Sequence, residues 1–204
     1  MNRQAKFITL EGVDGAGKST HMQFIADALA AASGRHAIVT REPGGTDLAE
    51  RLRQAILEEP LDALGETLLI FAARAHHVRK VIRPALEAGT WVICDRFHDA
   101  TFAYQGAGKG VPTELIQRLS EAAHGGLFPD RTVVFDCAYD VARRRLASSG
   151  KKLDRFERED QAFFERVRGA YLARARAEPE RMRLIDAAAE VTTIRARLEE
   201  ALAF

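Results

Sequence analysis

The sequence predicts an α/β domain on a five-stranded parallel sheet flanked by helices, and three observations predict it. Short apolar runs rich in β-branched residues alternate with stretches of helical period. A glycine-rich stretch, Gly12-Val13-Asp14-Gly15-Ala16-Gly17-Lys18-Ser19-Thr20, lies between the first such run and the first helical period. Charged residues recur directly after the strand-like runs, where ligands sit in open parallel sheets.

The elements follow in order. Phe7 to Leu10 reads as a buried strand, and Met22, Ile25 and Leu29 recur at helical spacing behind the glycines. His36 to Thr40 gives a second strand, and Arg41-Glu42-Pro43-Gly44-Gly45-Thr46 a tight turn. Asp47 with Glu50 three residues on reads as a capping box opening a helix to about Leu57. Leu64 to Leu86 is mostly helical, with Pro84 kinking or ending it. Trp91 to Cys94 is a strand ending on Asp95-Arg96, and Pro112-Thr113 introduces a helix to about His124. Thr132 to Phe135 is a fourth strand, Val141 to Ala147 a helix, and Ser148 to Arg158 is charged without period. A long helix from about Asp160 to Ala177, a fifth strand from Met182 to Ile185 and a last helix complete the chain.

With 204 residues, 47% of them apolar, and a net charge of +1, the chain has a core for one domain and no bulk charge that calls for nucleic acid or a membrane. Met1 to Lys6 is polar, and no run reaches a membrane-spanning length. Cys94 and Cys137 sit in apolar runs as buried thiols, so a cytoplasmic protein is expected.

The glycine-rich stretch fits the phosphate-binding pattern G-x-x-x-x-G-K-[ST]. Its glycines let backbone N–H groups curl around a phosphate, and the helix that follows presents its positive dipole end. Lys18 would reach the β- and γ-phosphates of a nucleoside triphosphate and Ser19 would ligate Mg²⁺. A GTP switch needs an Asn-Lys-x-Asp motif, and the sole asparagine is Asn2. No basic groove suggests a translocating motor. A small phosphotransferase remains, alongside a non-catalytic ATP-dependent module.

The chain also resembles bacterial thymidylate kinases. Glu11 to Thr20, the Arg41–Thr46 turn, Phe71-Ala72-Ala73-Arg74, Asp95-Arg96-Phe97, Ala103-Tyr104-Gln105-Gly106 and Leu153-Asp154-Arg155-Phe156-Glu157 carry the resemblance, in family order and over nearly the whole chain. It implies strand order 2-3-1-4-5, transfer of the ATP γ-phosphate to dTMP giving dTDP and ADP, Mg²⁺ as cofactor, and a homodimer with a face near Leu68 to Val81. It also implies Phe71 stacked on thymine and Arg74 on a base carbonyl. Helical spacing puts these two on one side, although periodicity alone favours the core for Phe71. Arg96 would hold the acceptor phosphate with help from Arg41, Asp95 would organise the magnesium shell, and Asp14 would meet the sugar 3′-hydroxyl. Thr101, Tyr104 and Gln105 would line the base and sugar. A kinase for another nucleoside monophosphate would share the fold and the loop.

Two departures concern the cations. Some relatives carry an arginine where this loop has Gly15; the bacterial kind without it bring arginines from the lid, often where this chain has Ser148 and Ser149. Ser148 to Arg158 is therefore expected to close over ATP with Lys151, Lys152 and above all Arg155, whose planar fork can bridge two phosphate oxygens. Arg145 is next in line. A pairing of Arg155 with Asp154, Glu157 or Glu159 is the competing expectation.

Overall fold

The computed structural model describes residues 5–203; the polar start from Met1 to Gln4 lies outside them. Strand β1 (Phe7–Gly12) leads through the glycine loop into α1 (Lys18–Ser33), then β2 (Ala37–Arg41), α2 (Asp47–Glu58) and α3 (Ala63–His77). A π-helical turn, Val78–Ile82, joins α3 to α4 (Arg83–Glu87), followed by β3 (Trp91–Asp95), α5 (His98–Thr101) and a second π-helical segment, Phe102–Gly108. The remainder is α6 (Thr113–His124), β4 (Arg131–Asp136), α7 (Tyr139–Ser148), α8 (Gln161–Ala177), β5 (Met182–Asp186) and α9 (Val191–Ala201).

The five strands are parallel in the order β2-β3-β1-β4-β5, as the resemblance implied. Every residue of β1 is buried, which fits the centre of a sheet covered on both faces. Alternation along the strand divides the core. Ile8 and Leu10 face Met22, Ile25 and Leu29 of α1, whereas Phe7 joins Val92, Cys94, Val78 and Ile82 on the other face. Fully burying each of these large side chains is worth about 1.5–3 kcal/mol. Thr9, the polar exception in β1, shares a 2.7 Å hydroxyl hydrogen bond with Thr132 of β4.

One local expectation is corrected, one is narrowed and one gap is filled. The cap of α2 is Thr46, not Asp47: the Thr46 hydroxyl accepts from Ala49 N–H, and Glu50 reaches back to Gly45 N–H. Pro84 does not end its helix. The ladder passes through the π turn just before it, which places the missing N–H in the first turn of α4. The stretch 98–108, left unassigned in the sequence, is helical. Gly108 lets it close on α8, since a Cβ there would stand 2.6 Å from Phe163.

Beneath this segment His98 and His124 are buried among Phe97, Phe102 and Phe128, their rings 5.7 Å apart. Burial pushes His98 down to about 3, against the pull of Asp99, and His124 down to about 4. Both stay neutral in the fold but protonate in the unfolded chain below its ordinary histidine value, so stability is lost as pH falls from about 6.5 toward 4. Each should cost about 2 kcal/mol by pH 5. Urea unfolding at pH 7 and pH 5 should therefore show a smaller acid loss for His124→Phe than for the wild type.

Candidate active site

The site grows from the strand ends. Gly12, Gly15 and Gly17 all adopt positive φ, at 129°, 81° and 91°. At Gly12 the reason is also contact: a Cβ would lie 2.4 Å from the Phe135 carbonyl of β4. At Gly15 it would lie 2.5 Å from the Ala142 carbonyl of α7. The loop is thus clamped between the neighbouring strand and helix. Lys18 is buried and its Nζ donates to Gly12 O at 3.0 Å and Val13 O at 3.1 Å. Burial, then Arg96, pulls its amine below the ordinary lysine range.

The loop residues Gly15, Ala16, Gly17, Lys18, Ser19 and Thr20 line a cavity of about 700 Å³, with Arg41, Asp95 and Arg96 opposite. Val13 is buried behind the loop. Asp95 carries a buried Oδ1 with no hydrogen-bond partner among the described residues. A second, narrower pocket runs from Arg53 and Arg96 past Ile70, Arg74, Thr101, Tyr104 and Gln105 to Phe156.

Asp14 and Arg96 border both spaces and pair at 2.6 Å. Arg96 also donates to Gly12 O at 2.8 Å and lies 4.7 Å from the Tyr104 ring centre, while the Tyr104 hydroxyl donates to Asp14 Oδ2. Burial pushes the Asp14 carboxyl up, but Arg96, Lys18 and these hydrogen bonds outweigh it and hold it below the usual carboxylate range. Glu11, buried beneath, accepts from Phe97 N–H at 2.8 Å and from the Tyr171 hydroxyl at 2.7 Å. Burial, then Asp99, raises its carboxyl to about 7.

Arg74 is 2% exposed and held on three sides: by Glu42 at 2.6 Å, the Thr101 hydroxyl at 3.0 Å and Phe97 O at 2.9 Å. Glu42 is held in turn by His77, which also meets Thr40. Gln105 donates to Glu66 at 2.7 Å.

The structure brings together the loop, Asp95, Arg96, Asp14, Arg74, Thr101, Tyr104 and Gln105. Four expectations fare differently. Phe71 does not line the pocket; it turns into the apolar group of Val111 and Ile116, and Ile70, four residues before Arg74, takes the pocket wall. Phe71 nevertheless stays beside Arg74, whose guanidinium carbon lies 4.9 Å from its ring centre. Arg155 points away from the phosphate loop, paired with Glu66 and donating to Glu59 O at 3.0 Å; Asp154, Glu157 and Glu159 are not its ion-pair partners. Lys151 borders the larger cavity, whereas Lys152 borders neither space. Arg41 reaches the cavity wall while paired with Glu50.

Arg53 was missed. It borders both spaces and donates to Pro43 O at 3.2 Å. The signal was its helix, which opens right after the Arg41–Thr46 turn and so aims its second turn back at the strand ends. Arg145, only a reserve candidate, donates to Ala16 O at 3.3 Å and Ala187 O at 2.8 Å, fixed beside Gly17.

Two spaces meet at one ion pair and only one of them lies on the phosphate loop, which places the protein among P-loop phosphotransferases that bring a nucleotide to a second small ligand. Comparison with known proteins narrows the class. The thymidylate kinase family model matches residues 10–198. The chain is 52% identical to a thymidylate kinase of Bordetella petrii over 202 residues, covering 99% of this chain and 97% of that one. It is also 52% identical to a thymidylate kinase of Cupriavidus necator, with 98% of each chain covered. The crystal structure of thymidylate kinase from Ehrlichia chaffeensis superposes with a TM-score of 0.79 at 33% identity, covering 98% of this chain and 99% of that one. The chain belongs to the thymidylate kinase family.

Gly12→Ala tests the clamp. The new methyl meets backbone rather than a side chain that can move aside, so the melting temperature should drop by several degrees and ATP binding should be lost, read by thermal unfolding and calorimetry.

Proposed function

We infer a division of labour in which the larger cavity takes ATP and the narrower pocket takes dTMP, the γ-phosphate passing between them to give dTDP and ADP. The observation that carries it is the Asp14–Arg96 pair standing where the two spaces meet. Lys18 leaves the Gly12 and Val13 carbonyls for the β- and γ-phosphates, and the loop N–H groups hold the chain of phosphates. Arg96 and Arg53, with Arg41 released from Glu50, hold the acceptor phosphate. Arg96 neutralises charge as the phosphoryl group moves, a role that needs placement more than covalent chemistry. Asp14 takes the sugar 3′-hydroxyl and Tyr104 steadies it.

The residues fit Mg²⁺. Ser19 is exposed at the start of α1, and Asp95, whose buried Oδ1 has no hydrogen-bond partner among the described residues, lines the same cavity. These two would hold the ion, which typically takes one or two protein ligands besides phosphates and water and supplies charge neutralisation at the phosphates when bound. Arg74 spends three of its five N–H donors on protein and keeps two for a base carbonyl. Ile70, not Phe71, flanks the base. Leu64 and Leu68, both exposed on α3, support pairing with a second copy of the chain. No helix among the described residues is long and apolar enough to cross a membrane. A cytoplasmic location and a single domain with residues 148–158 as its lid complete the reading.

Coupled ADP release over a panel of monophosphates tests the acceptor. Arg74 can only donate, so cytosine, with an amino group at that edge, leaves a buried donor unpaired at about 1–3 kcal/mol, or roughly 5- to 150-fold in kcat/KM. Discrimination against dUMP should be smaller, since one methyl is worth at most about 1–3 kcal/mol. Equal turnover of dCMP and dTMP rejects the pocket. Lys18→Ala should abolish transfer with the melting temperature unchanged.

The source of the lid cation is decided by two alanine variants. Arg145→Ala should raise KM for ATP, because its guanidinium is already seated on the loop. Arg155→Ala should lower kcat by at least 10-fold if Arg155 leaves Glu66 for the phosphates during turnover, within the about 10³–10⁵ typical of an arginine finger. A kcat within a few-fold of wild type would leave Arg155 as a partner of Glu66 only.

A further inference from the structure

Glu66 lies on α3 outside any phosphate chemistry, yet it is fully buried and gathers three partners. Its Oε1 accepts from Gln105 Nε2 at 2.7 Å; its Oε2 meets Lys109 Nζ at 2.7 Å and the Arg155 guanidinium. A carboxylate paired with two cations only accepts. It therefore compels the Gln105 side chain to present its NH₂ to α3. That leaves Gln105 Oε1, an acceptor, for the pocket that Gln105 lines. Without such a neighbour a glutamine amide turns over readily and reads a donor or an acceptor alike.

We propose that Glu66 is a positioning residue for base selection: it fixes Gln105 so that Oε1 accepts from a pyrimidine ring N3–H. This deepens the function proposed above and rests on its placing of the base beside Gln105. Thymine and uracil carry a hydrogen on N3, and cytosine carries a lone pair there. Gln105 Oε1 facing that lone pair is repelled. The carbonyl beside N3 is Arg74's to read, so the two side chains together present acceptor then donor, the complement of a 4-keto pyrimidine. Ile70 gives the base an apolar flank but no such choice.

The test compares kcat/KM for dTMP and dCMP in Glu66→Gln, Gln105→Leu and the double variant, a cycle that isolates what Glu66 does through Gln105. Glu66→Gln can present either end of its own amide, so Gln105 is no longer held and the dTMP-to-dCMP ratio should fall by about 10-fold, the scale of one misplaced buried hydrogen bond. On the Gln105→Leu background the same change should leave the ratio unaltered. Release of Arg155 in Glu66→Gln affects both substrates alike and cancels in the ratio. An unchanged ratio in Glu66→Gln, or an equal effect on the Gln105→Leu background, overturns the proposal. If Gln105→Leu itself leaves the ratio at the wild-type value, the placing of the base beside Gln105 is what fails, and the proposal falls with it. The wild-type protein provides a measurement that needs no folded Glu66 variant. The Gln105 side-chain amide, assigned in ¹H–¹⁵N spectra by its loss in Gln105→Leu, should exchange slowly both before and after dTMP is added. Fast exchange in the complex would show the NH₂ released from Glu66 and overturn the proposal.

Discussion

The pairing of Asp14 with Arg96 is the contact on which the site depends, and it starts as a backbone problem. Arg96 is the only described non-glycine residue with positive φ, at 68°. Left-handed backbone costs such a residue about 1–2 kcal/mol. The conformation turns the chain sharply as it leaves β3, folding the guanidinium back over β1. There it meets Gly12 O, Asp14 and the Tyr104 ring at once. Charge-assisted hydrogen bonds of this kind are roughly twice as strong as neutral ones and offset the strain. Glu11 completes the fixation by taking the Phe97 N–H, next in the chain, while Tyr171 of α8 holds its other oxygen. The phosphate loop, the end of β3 and α8 are thereby tied at one point.

The same tie explains why Lys18 and the arginines tolerate close company. Lys18, Arg41, Arg53 and Arg96 all border the larger cavity, and Lys18 and Arg53 are each pulled down by burial and then by neighbouring cations. Asp14, Asp95 and Glu11 lie among them as the compensating charges. A bound chain of phosphates relieves that repulsion. The site is thus electrostatically incomplete without an anion, which is how a preorganised site favours charge that accumulates in the transition state.

What was legible in the sequence follows from the range of the signal. Periodicity is local, and it placed all five strands within two residues of their observed ends. The glycine pattern is also local, because each glycine answers to a φ or a close carbonyl. Thr46 displaced Asp47 as the cap because the preceding turn had already set the extended backbone that a cap needs. The π-helical segment Phe102–Gly108 escaped because its wide turn has no sequence period of its own and depends on Gly108 meeting Phe163, far along the chain on α8. Phe71 and Arg155 were misplaced for a related reason. Motif order says which residues are present, but the rotation of α3 and the distant Glu66 decide where those two side chains go.

Helix α3 shows how one local period becomes a reading surface. Glu66, Ile70, Arg74 and His77 follow each other at spacings of four, four and three, so they form one stripe. Each does something different there: Glu66 holds Gln105, Ile70 walls the pocket, Arg74 faces it, and His77 holds Glu42. Leu64 and Leu68 lie on the opposite side and are exposed. The stripe is costly, since Glu42 and Arg74 are both 2% exposed at the side chain. Losing either partner of such a pair would strand a buried charge, at about 3–5 kcal/mol, whereas an apolar pair would be as stable or more so. Stability alone therefore does not account for the pair. What an apolar stripe could not do is hold a donor at a fixed angle in the pocket. Glu42, itself fixed by His77, which Thr40 holds in turn, leaves Arg74 no freedom to swing toward an acceptor in the wrong place. In the proposed function, selection of a keto edge over an amino edge rests on that immobility, since a guanidinium free to rotate would find an acceptor on either base.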